Sequence, residues 1–108
     1  MMPLKKDWKL FRAKIGLWQE SYMEKLLKEY VVLLNDDLPA SSKFWALEKR
    51  IKADKKKPGV LVNLRKQQML IDIIHLLQDG VITMDDLVDF SNELKDEVKL
   101  LYDRMKNL

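Results

Sequence analysis

The chain contains no cysteine. That excludes disulfide bonds, thiol nucleophiles and thiolate metal sites, and it is compatible with a reducing compartment. Histidine occurs once, at His75, so no His-rich ligand set can form. Only three glycines and three prolines punctuate the sequence, whereas a strand-rich fold of this size would need turn signals every 8 to 12 residues, by the spacing typical of such folds, about that often. Glycine-rich phosphate loops and nucleophile-elbow motifs are absent. No apolar run approaches the roughly 18 residues of a membrane span, and MMPLKKDWKLF lacks the apolar stretch of a signal peptide. These absences point to a cytoplasmic protein with no membrane segment.

What the chain does contain is 47% hydrophobic and 34% charged residues over 108 positions. That composition supports one globular domain, residues 1–108, with a single core. Its apolar residues recur at helical spacing. Trp8, Phe11, Ile15, Trp18, Tyr22, Leu26, Tyr30 and Leu33 fall at steps of three and four, which predicts a long amphipathic helix over 5–34. Gly16 lies inside it and marks a place for a bend or a close crossing. Asn35 and DDLPASS then break the helix, with a serine available as the next cap.

A second helix is expected from about Ser42 to Lys56, with Phe44, Leu47 and Ile51 on one face and Trp45 beside them. Its apolar stripe is thin, so most of its surface stays wet or meets a partner. Lysines in its last turn suit the negative end of the helix dipole, and Pro58 with Gly59 ends it. The third segment, from Leu61 or Asn63 to Gln78, is apolar almost all round and should be the central element. VLVNL at 60–64 could be a short extended stretch before it, but one isolated strand would have no partner, which favours helix.

DGVITMDDL carries the clearest local signal. Gly80 suits a left-handed helix stop. Thr83 and Asp86 have the spacing of a capping box, and Ile82 and Leu87 that of a hydrophobic staple, which predicts a fourth helix from Met84 through Leu108. The fold class is therefore all-α: a compact four-helix bundle with a long N-terminal helix and a C-terminal helical hairpin that supply most of the core.

Chemistry-bearing constellations are few. The glycine and acids of DGVITMDD invite comparison with a calcium loop, but its first and third positions would be His75 and Leu77, which offer no carboxylate. His75 with Asp79 would make two zinc ligands at best, and no nucleophile stands beside a base. The chain reads as a non-enzyme without metal or cofactor.

Charge is unevenly distributed. Residues 43–66 hold nine lysines and arginines against Glu48 and Asp54, a net of +7. Residues 67–108 carry four against nine, a net of −5, and residues 1–42 are near neutral at +1. A cationic patch is thus expected from Lys49, Arg50, Lys52, Lys55, Lys56, Lys57, Arg65 and Lys66. The competing reading sets the basic second helix against the acidic fourth, with the remaining lysines as solvated caps. Trp45, off the main stripe, is the candidate aromatic anchor. Asp85, Asp86, Asp89, Glu93, Asp96 and Glu97 form a candidate acidic contact face.

LLQDGVITMDDLVDFSNELKDEVKLL resembles the short C-terminal helical hairpin of bacterial proteins called SHOCT: leucines, then G-x-[IL]-T, then acids before a second amphipathic helix. The resemblance covers about a quarter of the chain and implies an interaction or oligomerisation module without catalytic residues. More broadly, FWALEKRIKADKKKPGV through DGVITMDDL resembles small proteins carried on mobile elements of Gram-positive bacteria, a group that includes anti-CRISPR inhibitors. The expected function is a non-catalytic protein-binding module, with an RNA-guided nuclease or ribonucleoprotein as one candidate partner. Direct nucleic-acid binding through 43–66 and self-association as a homodimer are the alternatives.

Overall fold

The computed structural model describes residues 4–107. Four α-helices follow one another: α1 (Lys5–Leu34), α2 (Ala40–Asp54), α3 (Met69–Gln78) and α4 (Asn92–Lys106), with short 3-10 turns at Lys66–Gln68 and Met84–Leu87. No strand occurs among the described residues. The all-α, four-helix architecture expected from the periodicity is present, with the long N-terminal helix at its expected bounds.

Packing follows the apolar stripes. Phe11 and Ile15 of α1 meet Met69, Ile73, Ile74, Leu76 and Leu77 of α3 and Leu94 and Val98 of α4, with Ile82, Leu87 and Phe90 of the connection between them. Burying each of these larger side chains contributes roughly 1.5–3 kcal/mol relative to exposure. Trp8 and Trp18 flank Phe11, and Trp18 stacks on Phe90 with ring centroids 6.3 Å apart. As expected, α3 is the most buried element.

α2 has a different environment. It folds back along the C-terminal half of α1, and Asp54 is its only buried residue. The outline is consequently elongated rather than compact, 52 × 31 × 22 Å with a radius of gyration of 16.4 Å, against about 13 Å for a rounded chain of this length. One end is the α1–α3–α4 core. The other is the projecting α1–α2 hairpin.

Four local expectations are corrected. First, α2 starts at Ala40 after Pro39 and carries no side-chain cap. Lys43 Nζ instead donates to the Leu34 carbonyl at 2.9 Å, satisfying the end of α1. Second, α2 ends at Asp54, so Lys55, Lys56 and Lys57 lie in the following turn and not in the last helical turn. Third, residues 61–65 form no helix, Arg65 being extended, and α3 begins at Met69. Before this stretch Gly59 is buried in a close approach of the chain to α1: a Cβ on it would lie 2.5 Å from Tyr22 Cδ2 and 2.7 Å from Val81 Cγ2.

Fourth, the signal at Thr83 starts only a 3-10 turn. The reciprocal capping box forms, with the Thr83 N–H donating to Asp86 Oδ2 at 2.8 Å. Ile82 and Leu87 are both buried, as a staple requires. Yet α4 begins eight residues later, where Ser91 Oγ accepts from the Leu94 N–H at 3.1 Å. Gly80 does adopt the left-handed conformation, with φ +72°. Gly16 is exposed and a Cβ there would meet nothing within 4 Å, so no helix crosses at that point.

Candidate interaction surface

The α1–α2 hairpin is held by a polar cluster set between its two helices. The Tyr30 hydroxyl donates to Asp54 Oδ2 at 2.5 Å, and Arg50 Nε donates to the same oxygen at 3.1 Å. Arg50 also reaches Glu29 at 2.6 Å and sits over the Tyr30 ring, 5.5 Å from its centroid. Lys57 Nζ lies 3.6 Å from Asp54 Oδ1. Burial pushes the Asp54 carboxyl up, but the Tyr30 hydroxyl and the Arg50 and Lys57 charges outweigh it and hold it below the usual carboxylate range. Burial, followed by the hydrogen bond to Asp54, pushes the Tyr30 hydroxyl up to about 12.

Outside this cluster the hairpin is apolar and exposed. Phe44, Leu47, Glu48, Ile51, Lys52 and Lys55 line a depression of about 310 Å³. A second, of about 260 Å³, is lined by Met23, Leu26, Leu27, Tyr30, Ile51, Asp54, Lys55 and Val60. Ile51 and Lys55 border both, so the two depressions adjoin along the hairpin and together make an apolar trough on either side of these residues. Trp45 is 65% exposed and Phe44 64%; their rings meet edge to face with centroids 5.0 Å apart. Leu27 and Val31 extend the exposed apolar surface along α1.

The residues expected to form one cationic patch are divided by the fold. Lys49, Lys52 and Lys55 are exposed on or just after α2, and the latter two border the trough. Arg50 and Lys57 are engaged inside the polar cluster. Lys56 and Arg65 face a separate polar cavity of about 370 Å³, which Asp72 and His75 also line. Burial raises the Asp72 carboxyl, partly offset by His75. Lys66 joins the N-terminal turns of α1, beside Lys5, Lys6, Lys9 and Arg12. That last grouping was hidden in the sequence, because its members lie in two distant segments and the first segment is nearly neutral when averaged.

The acidic set is also divided. Asp85 and Asp86 sit in the 3-10 turn, and Asp86 is committed to capping. Asp89 lies in the following turn, 3.6 Å from Lys14. Only Glu93, Asp96 and Glu97 are on α4. Among the described residues no ion pair joins α2 to α4; α2 pairs with Glu29 on α1, within itself through Arg50 and Asp54, and with Lys57 just beyond its end. The reading in which the basic second helix packs on the acidic fourth is therefore corrected.

No helix among the described residues is long and apolar enough to cross a membrane. Comparison of the chain with protein-family models, with curated proteins and with solved structures finds no match.

Proposed function

We propose that the chain is a non-catalytic protein-binding module that docks through its α1–α2 hairpin. The carrying observation is the apolar trough of Phe44, Leu47, Ile51 and Leu27 with the exposed Trp45 beside it, all outside the core. Isolated exposed leucines are ordinary. Adjoining apolar depressions with two exposed aromatic rings at one end are the type of surface that proteins bury against a partner.

Charge narrows the partner. Lys52 and Lys55 supply cations bordering the trough, and Lys49 is exposed on the same helix, so the fitting surface is an amphipathic segment that pairs an apolar stripe with acidic flanks. An acid-bearing face of a nuclease or ribonucleoprotein is one instance of that class. The Tyr30–Asp54–Arg50 cluster supports the reading by fixing the two helices relative to each other, which lowers the ordering cost of binding.

The experiment is capture of partners from a nuclease-treated bacterial lysate by the full chain, compared with the Phe44→Ala/Trp45→Ala variant. A protein retained by the first and lost by the second is expected, and its direct binding should weaken by about 2 kcal/mol or more, as at an aromatic hot spot. Capture unchanged by the double substitution overturns the assignment of the surface. Capture that disappears on nuclease treatment replaces it with nucleic acid. A doubled solution mass that reverts to 12.8 kDa in the double variant would identify the partner as a second copy.

A further inference from the structure

We propose that the opposite end of α1, together with Lys66, binds single-stranded nucleic acid, independently of the docking surface on the α1–α2 hairpin. Lys5, Lys6, Trp8, Lys9 and Arg12 lie on the first two turns of α1. Lys66 opens the 3-10 turn leading into α3. These six side chains line one open cleft of about 480 Å³. Five are cations and none is a carboxylate.

The positive charge of this cleft is uncompensated. Asp7, the acid within the same two turns, is 1% exposed and its carboxylate accepts from Ser91 in the interior. Among the described residues none of the five cations lies within ion-pair distance of a carboxylate. Cations crowded into a concave surface repel one another and attract a polyanion, releasing its counterions. Residues 5 to 12 rise about 10 Å along the helix, so the cations reach a few consecutive phosphates of one strand.

The aromatic group distinguishes a single strand from a duplex. Trp8 stacks against Phe11 on its inner side, with centroids 6.2 Å apart. The exposed Arg12 guanidinium lies over the indole, 5.4 Å from its centroid. An unpaired base can extend this pile by stacking on the guanidinium plane, whereas the base faces of a duplex are already occupied. Among the described residues Trp8 is the only apolar one lining the cleft, which gives them little to insert into a lipid surface.

The test measures binding of the full chain to a labelled oligouridylate of about twenty nucleotides and to a duplex of the same length, between about 50 and 200 mM salt. The single strand is expected to bind more tightly. Its log affinity should fall with log salt at a slope of about −2, as for three phosphates neutralised on a single strand. The Lys5→Ala/Lys9→Ala/Arg12→Ala variant should lose about tenfold or more in affinity and flatten that slope. A control with the same charge loss, Lys49→Ala/Lys52→Ala/Lys55→Ala, should stay within about twofold.

Absence of binding at the lower salt, equal or tighter binding to the duplex, or an equal loss in the control overturns the proposal. So does binding to phosphatidylserine vesicles without binding to the oligonucleotide. Should the triple variant lose its helical signal, Arg12→Lys decides. It retains the charge and removes the stacking plane, so severalfold weaker binding with an unchanged salt slope is expected, and unchanged affinity overturns the stacking assignment.

Discussion

Asp7, in the first turn of α1, holds the start of α4 through Ser91. One carboxylate oxygen accepts from the Ser91 N–H at 2.9 Å and the other from the Ser91 hydroxyl at 2.5 Å, across 84 residues of sequence. The same serine oxygen accepts from the Leu94 N–H. A buried carboxylate thus orients the cap of a helix that lies far away in the chain. Asp7→Ala leaves the serine donors buried without their acceptor. A cost of about 2–4 kcal/mol is expected, lowering Tm by more than about 8 °C for a domain of this size. Denaturant unfolding that places the variant within half a kcal/mol of the parent, about the scatter of ordinary surface substitutions, would remove this bond from the account of stability.

Two glycines have opposite expected responses. Gly16 occupies an open, exposed position in the interior of α1, so Gly16→Ala should stabilise the chain by about 0.5–1 kcal/mol through helix propensity and a less flexible unfolded state. At Gly59 an added methyl group meets the Tyr22 ring and Val81. Gly59→Ala should therefore destabilise by about 1–3 kcal/mol, the range of overpacked sites. Thermal unfolding of both variants measures the contrast, and a stabilising alanine at Gly59 would contradict the wedge described for it.

The sequence made the helices legible where a local rule decided the outcome. The stripe from Trp8 to Leu33 places α1 correctly because its period depends only on the helix itself. The Thr83–Asp86 box and Gly80 were legible for the same reason. Features set by distant contacts were not. α4 starts at Ser91 because Asp7 anchors that serine, although Ser91 followed by Asn92 and Glu93 is itself a cap-like signature that competes with Thr83. The close packing of Gly59 against Tyr22 joins segments 37 residues apart and leaves no periodic mark. The burial of Asp54 depends on Tyr30 of α1, a partner that no spacing within α2 announces. The cleft lined by Lys66 could not be read from charge averaged along the chain.

Tyr30 gives the hairpin a pH signature. Its hydroxyl is pushed up to about 12, above the ordinary tyrosine value, so folding favours the protonated form. The associated stability is fully present below the ordinary value and is lost as pH rises from about 10 through about 12. Tyrosinate absorbance of the folded chain should contain a late step that vanishes in Tyr30→Phe. Loss of an early step instead, near the ordinary tyrosine value, would contradict the Tyr30–Asp54 bond. Asp54 acts at the other end of the scale. Its carboxyl is held below the usual range, so its contribution is present above about pH 4 and is lost as pH falls through its depressed value.

The three lysines after α2 should not behave alike. Lys55 and Lys56 are exposed and make no ion pair among the described residues. Replacing either with alanine should change stability by less than about 0.5 kcal/mol. Lys57 lies 3.6 Å from the buried Asp54 carboxylate, but its own side chain remains 42% exposed, so solvent limits the pair to about 1 kcal/mol. Lys57→Ala should therefore cost more than the other two, and the difference should shrink in Asp54→Asn, where the partner charge is gone. Equal effects from all three lysines in both backgrounds would show that the pair contributes nothing.

The aromatic pair on α2 separates a binding surface from a structural one. Phe44 and Trp45 lie outside the core cluster, and their rings touch chiefly each other's edges. Truncating a core residue such as Leu94, which is fully buried against α1 and α3, should cost about 2–5 kcal/mol. Truncating both aromatics should cost less than about 1 kcal/mol, since little buried surface is lost on the isolated chain. Exposure also predicts that the Trp45 share of the fluorescence is readily quenched by iodide, with the remaining emission of Trp45→Phe, from the partly buried Trp8 and Trp18, quenched less. Strong destabilisation by Phe44→Ala/Trp45→Ala would mean that these rings support the fold, and the trough beside them would lose its standing as a docking site.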